Sequence, residues 1–174
     1  MHYKLRPWQI NDLDSLLTFG NNGNIAKFMT DKFPHPYTKE AGENFIAYAM
    51  RGNPVNIFAI ESAGKAAGGI GIHPSADIES KNAEMGYWLA EPYWGKGIVT
   101  DAIMQMVEYG FKNFGINRIF VRPFGTNIAS QKVLVKAGFV LEARLAKTFF
   151  KNGEFIDEWI YAVRKNTWQQ TPQG

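Results

Sequence analysis

Cysteine is absent from this chain. Its absence excludes a disulfide framework, a thiol nucleophile and any cysteine-ligated zinc or iron–sulfur site. Histidine is scarce. His2, His35 and His73 stand apart, without the paired spacing of a zinc motif, so no metal site is expected. Long apolar runs are missing too, and nothing approaches the ~18 to 20 residues of a membrane span. The opening Met1-His2-Tyr3-Lys4-Leu5-Arg6 lacks the apolar stretch of a secretory signal. A cytoplasmic protein with no membrane partner is the expectation. Charge of one sign is barely in excess: 19 Lys and Arg against 16 Asp and Glu leave +3. With no basic stripe, a nucleic-acid partner is not expected. One anionic ligand held by a few positive groups fits the same balance. No internal repeat or low-complexity run is present.

What the chain does have is aromatic bulk. Among 174 residues are 13 Phe, 7 Tyr and 5 Trp, enough for a sizeable core. The length fits one domain. We read residues 1–165 as that domain and 166–174 as a polar C-terminal tail.

Strand-like and helix-like segments alternate along it. Tyr3–Arg6 opens as a strand. Asn11 or Asp12 is placed to cap a helix bearing Leu13, Leu16 and Leu17, which Gly20–Gly23 breaks. Two prolines hold Phe33-Pro34-His35-Pro36-Tyr37 extended. Thr38 caps a second helix carrying Ala41, Phe45, Ile46 and Ala49. Val55–Glu61, Ala67–His73 and Ala83–Ala90 read as an antiparallel meander. In the third strand Met85, Tyr87 and Leu89 face one way and Glu84, Gly86 and Trp88 the other. A long amphipathic helix runs from Ile98 to about Asn113–Gly115. Arg118–Arg122 is a strand, and Asn127 caps a helix ended by Gly138. Phe139–Arg144 and Glu154–Val163 close the chain, the latter entered through an Asn152-Gly153 hairpin turn. The fold class is α+β: a single mixed, mostly antiparallel twisted sheet of about seven strands with helices on both faces.

The segment richest in chemistry is Trp94-Gly95-Lys96-Gly97-Ile98-Val99-Thr100. A strand runs into a glycine loop and then into a helix. The first helical N–H groups lack intrahelical partners and lie at the positive end of the helix dipole. Such a start suits phosphate or pyrophosphate, and Lys96 adds a positive charge. A plain glycine turn is the alternative. The spacing matches neither a Walker loop nor a dinucleotide fingerprint. Asn127, with Ser130 one turn on, reads by itself as a helix cap.

Taken together, four pieces resemble the Gcn5-related N-acetyltransferase superfamily, and within it the branch of RimJ/RimL-like ribosomal-protein N-terminal acetyltransferases. They are Pro36-Tyr37-Thr38; Ala83-Glu84-Met85-Gly86-Tyr87-Trp88-Leu89; Tyr93 to Thr100; and Asn127-x-x-Ser130 with Lys136-Ala137-Gly138-Phe139. The resemblance extends over about residues 3 to 165. It implies an acyl-CoA N-acyltransferase fold that uses acetyl-CoA as co-substrate, without a metal. The pyrophosphate would sit on Gly95, Lys96, Gly97, Ile98, Val99 and Thr100. Pantetheine would pair along Trp88, Leu89 and Ala90, in a V between splayed strands whose other arm is Ile119–Arg122. Asn127 and Ser130 match positions that contact the cofactor arm.

The implied reaction is direct attack of a primary amine on the thioester. The acceptor is a protein N-terminal amine or a small-molecule amine. The amine must lose a proton, the oxyanion needs a donor such as the amide near Leu89, and the thiolate benefits from a hydrogen bond. Glu84 is the candidate base and Ser130 the candidate donor to the thiolate; a structural ion pair is the other reading of Glu84. His35 and Tyr37 border the acceptor entrance in the resembling fold, although packing beside two prolines also accounts for Tyr37. The chain departs from the family pattern at Trp94, at Val99 and at Leu134, where many members have a tyrosine acid. These departures keep a non-catalytic acyl-CoA-binding or regulatory module in view. A homodimer is also compatible with the resemblance.

Overall fold

The computed structural model describes residues 2–168. Its strands are β1 (Tyr3–Pro7), β2 (Ile57–Ser62), β3 (Lys65–Pro74), β4 (Asn82–Leu89), β5 (Arg118–Val121), β6 (Val140–Lys151) and β7 (Glu154–Arg164). Its helices are α1 (Leu13–Gly20), α2 (Gly23–Ala26), α3 (Lys39–Ala49), α4 (Ile98–Asn113), α5 (Ile128–Lys136) and α6 (Lys165–Trp168). The strands form one mixed, mostly antiparallel sheet in the order β1-β2-β3-β4-β5-β7-β6, with helices on both faces. This is the single mixed, mostly antiparallel sheet of seven strands expected from the sequence. Internal contacts divide the chain into two compact units: Met1–Gly71 with Gly86–Ala102, and Ile72–Met85 with Ile103–Gly174.

In the first unit, α1 and α3 pack their apolar stripes on the sheet. Trp8, Leu16, Ile46, Ala59 and Trp88 form one buried cluster there. Thr38 caps α3 as expected, its hydroxyl oxygen accepting from the Ala41 amide at 3.2 Å. Asp12 does not cap α1 with its side chain. It is 5% exposed and accepts both terminal guanidinium nitrogens of Arg6 at 2.7 Å. It also accepts the Gln9 amide, one half of a capping box on a short 3-10 turn that precedes the helix. Arg6 also bonds Glu61, so a half-buried cation ties β1, the turn and β2 together. The Gly20–Gly23 break contains a further short helix, α2, capped by Asn22.

In the second unit, α4 lies close on the sheet. A β-carbon on Gly110 would fall 2.6 Å from Ile72 Cδ1 and 3.1 Å from Ile119 Cδ1. The parallel ladder between β4 and β5 covers Asn82–Glu84 opposite Arg118–Phe120. β5 and β6 are each antiparallel to β7, so β4, β5 and β6 run in one direction with β7 inserted. β6 continues to Lys151, well past the expected end at Arg144. Two register shifts and a positive φ at Lys147 let it follow the twist while staying paired. Asn166–Trp168, assigned to the tail from sequence, form α6 with Lys165 and bury Trp168. The rest of that tail, 169–174, lies outside the described residues.

Candidate functional site

In the first unit, β4 delivers the chain to the glycine loop. β4 leans on β3 through close backbone approach, since a β-carbon on Gly68 would meet the Trp88 carbonyl oxygen at 2.5 Å. The Ala90 amide donates to the Ala67 carbonyl at 2.8 Å. Strand alternation therefore turns the Leu89 amide to the edge away from β3. The Leu89 carbonyl accepts the Trp94 indole N–H at 2.6 Å, which fixes the start of the loop. Gly95 and Gly97 have φ of +72° and +78°, in the left-handed region where a β-carbon is strained. No atom lies within 4 Å of where either β-carbon would be, so their surroundings are open. The first bond of α4 runs from the Asp101 amide to the Gly97 carbonyl at 3.1 Å. The amides of Ile98, Val99 and Thr100 thus precede the helical ladder, at the positive end of a 16-residue helix. Asp101, in that first turn, is held by the Tyr3 hydroxyl, which donates to it. Lys96 bends back, its ammonium donating to the Pro92 carbonyl at 2.7 Å and resting 5.6 Å from the Tyr93 ring centroid.

The same unit holds the proline loop. Tyr37 is buried at 7% exposure, edge-on to Phe33, and burial pushes its hydroxyl up to about 12. Its amide donates to the Asn21 side chain at 3.1 Å. His35 is exposed. Asn22 and Asn24 donate to Glu91 at 2.8 and 3.2 Å, holding its carboxyl below the usual range.

The second unit carries a cluster of charged groups around the candidate Glu84. Arg122, one residue beyond β5, donates from Nε and Nη2 to the two oxygens of Glu84 at 3.0 and 3.1 Å. Its Nη1 reaches Glu158 on β7 at 3.3 Å. Glu158 is 3% exposed, whereas Glu84 is partly open to solvent. The hydrogen bond to Glu84, with both carboxylates' charge, raises the Arg122 pKa further. The Phe149 ring lies 5.8 Å from its guanidinium carbon. Asn127 caps α5, accepting the Ser130 amide at 3.2 Å through its side-chain oxygen. Buried Gln131 pins the approach to that helix by donating to the Phe124 and Gly125 carbonyls at 3.3 and 3.0 Å. Leu134 is fully buried. Among the described residues, no cluster of three His, Cys, Asp or Glu side chains is placed to hold a metal. No described helix is long and apolar enough to cross a membrane.

The sequence profile of the acetyltransferase (GNAT) domain matches residues 2–140. The chain belongs to the GNAT acetyltransferase family. An uncharacterized N-acetyltransferase of Bacillus subtilis, YoaA, is 35% identical over 98 residues, 56% of this chain and 55% of that protein. The putative ribosomal N-acetyltransferase YdaF of the same organism is 31% identical over 106 residues, 61% of this chain and 57% of that one. The matched stretches thus span little more than half of these two relatives. Among solved structures, the microcin C7 self-immunity acetyltransferase MccE, in complex with acetyl-CoA and AMP, superposes with a TM-score of 0.80 at 28% identity, covering 93% of this chain and 92% of that one.

Within this GNAT domain the sequence-derived candidates fall in two groups. Trp88, Leu89, Ala90 and Gly95 to Thr100 are in the first unit, with His35 and Tyr37. Glu84, Asn127 and Ser130 are in the second. Trp88 offers backbone only, because its indole is packed in the core at 5.5 Å from the Phe33 ring. The Lys96 ammonium is engaged by the loop's own carbonyl. Arg122, Glu158 and Gln131 were missed. For Arg122 a signal existed: it ends the strand expected to be the second arm of the V, while Glu84 lies on the first. Glu158 sits in an alternating strand among aromatics and carries no local mark.

Proposed function

We propose that this GNAT domain is an acetyl-CoA-dependent N-acetyltransferase of the RimJ/RimL-like kind, moving an acetyl group to a primary amine. The observation that carries the reading is the Gly95–Gly97 loop. Two left-handed glycines, open around their β-carbon positions, lead into α4, and the amides of Ile98, Val99 and Thr100 precede its helical ladder. That geometry fits a pyrophosphate, which accepts from several N–H groups at once. Pantetheine would follow β4, where the edge away from β3 carries the Leu89 amide. The same amide is the donor proposed for the oxyanion. The acetyl-CoA bound by MccE supports the co-substrate, and the likeness to the putative ribosomal N-acetyltransferase YdaF supports an amine acceptor, either a protein N-terminus or a small molecule.

Glu84 is the proposed base. It acts on the incoming ammonium directly or through water, using lone pairs that Arg122 does not occupy. The neutral amine then attacks the thioester carbon, the tetrahedral intermediate collapses with loss of the CoA thiolate, and the second proton on nitrogen passes to that thiolate to give the amide and CoA thiol. The Ser130 hydroxyl is the proposed hydrogen-bond donor to that thiolate. Leu134, buried and apolar, has no proton to give. His35, exposed in the proline loop, is the acceptor-side residue of the pair first considered; Tyr37 supports the loop from the core.

The bidentate clamp on Glu84 also favours a second reading, an acyl-CoA-binding module without turnover. Calorimetry with acetyl-CoA, followed by thiol release against N-terminal peptides and polyamines, separates the two. Binding with amine-dependent release is expected. Binding without release across the panel favours the module, and no binding removes both readings.

A further inference from the structure

We infer that Glu158 is a positioning residue that sets the catalytic geometry of Glu84 through Arg122; this rests on the proposed role of Glu84 as base. The guanidinium is one rigid plane with five N–H donors. Nε and Nη2 face Glu84 and Nη1 faces Glu158, so the plane is pinned between β4 and β7. Of the two carboxylates, only Glu158 is deeply buried, at 3% exposure. Its strand is held on its own account. Glu158 bridges Phe124, and its neighbour Trp159 donates its amide to the Pro123 carbonyl at 3.1 Å. Glu158 is therefore the fixed end of the chain of three and Glu84 the adjustable end. The Phe149 ring beside the guanidinium limits its movement further.

A buried carboxylate is costly to keep where an apolar group of its size would pack as well. One that does no more than neutralise Arg122 would duplicate what Glu84 already does. Its distinct effect is directional. With Nη1 on Glu158, Arg122 presents its Nε–Nη2 edge to Glu84, which leaves Glu84 the lone pairs that the guanidinium does not occupy. Without that anchor the guanidinium is free to rotate about its last torsions, and Glu84 follows it. Glu158 touches no reacting atom in this account.

A double-mutant cycle on kcat tests it, with Glu158→Gln and Glu84→Gln singly and together in the full chain. General-base contributions are about 100-fold or more, and partial misplacement through E158Q should cost about tenfold of that. Acetyl-CoA affinity should be unchanged. In the E84Q background E158Q should have no further effect on kcat. An E158Q loss that persists in full beside E84Q shows a general structural role and overturns the inference. Should E158Q fold poorly, Glu158→Met, an apolar group of similar size with no strong acceptor for Arg122, replaces it; it should lose kcat about tenfold against wild type and nothing further beside E84Q, and wild-type kcat, or a full loss beside E84Q, overturns the inference. A wild type that binds acetyl-CoA but acetylates no amine removes the base role itself. The crystal structure of E158Q then decides the positioning separately: loss of the two-pronged Arg122–Glu84 pair supports it, and an unchanged pair overturns it.

Discussion

At the scale of single residues, backbone conformation and side-chain chemistry make separable demands. Gly97 needs its glycine for φ, not for space, since nothing crowds its β-carbon position. Gly97→Ala should cost about 1 kcal/mol of stability and weaken acetyl-CoA binding measurably by calorimetry, because the amides that follow are displaced. Gly86→Ala, equally open but without a positive φ, should leave stability within about 0.5 kcal/mol. Equal effects at both positions would deny the loop its special geometry. Asn127 raises a sharper question, because its side-chain oxygen is already committed to the Ser130 amide. Asn127→Ala should lower stability by about 1 kcal/mol in urea unfolding. A loss of acetyl-CoA affinity on top of that would give Asn127 a contact of its own; unchanged affinity would leave it a cap that positions Ser130. The cap was legible in the sequence because Asn followed by a helical run is a local signal. The Arg122–Glu84–Glu158 chain was not, because its members are 38 and 36 residues apart and meet only through sheet register.

At the scale of elements, what the sequence showed was type and order; what it hid was where each one stops. β6 was expected to end at Arg144 and runs to Lys151, because two register shifts absorb its twist and β7 pairs again beyond them. Asp12 looked like a cap, since its chemistry is right and a helix follows. Arg6, invisible as a partner in sequence, claims it instead. That ionic knot invites a test of how the elements are joined. Arg6→Ala leaves buried Asp12 without its cation and Glu61 with Lys4 alone, and should cost about 3 kcal/mol, read as a fall in urea midpoint. The acid limb follows with a definite sign. Glu61 is held below its ordinary 4.5, chiefly by the Arg6 hydrogen bond, and Glu142 likewise, chiefly by Arg118. A carboxylate lowered in the folded state adds stability above its unfolded value, and that stability is lost as pH falls through the folded one. The melting temperature should therefore drop as pH is lowered from about 4.5. In the double variant Glu61→Gln with Glu142→Gln the drop should be shallower. Superimposable acid limbs would show that neither pair contributes.

For the molecule as a whole, ligand binding and stability are linked by mass action. Anything that binds the folded chain and not the unfolded one stabilises it by RT ln(1 + L/Kd), with L its free concentration, and raises its melting temperature accordingly. The anion site proposed at the loop is made of backbone, since Lys96 is turned onto Pro92 and Asp101 is held by Tyr3. Backbone amides cannot form that array in the unfolded chain, so the site should vanish on unfolding. Acetyl-CoA at 100 times its dissociation constant should then add about 2.7 kcal/mol. At roughly 2–4 °C per kcal/mol for a chain of this size, the melting temperature should rise by roughly 5–10 °C. Gly97→Ala should reduce the rise at fixed ligand concentration, and E158Q should leave it intact, since that variant disturbs the proposed base and not the loop. A full-sized shift in Gly97→Ala would move the binding determinant away from the loop. A shift lost in E158Q would mean that the two-carboxylate cluster shapes co-substrate binding, and the division of labour between loop and cluster would have to be redrawn.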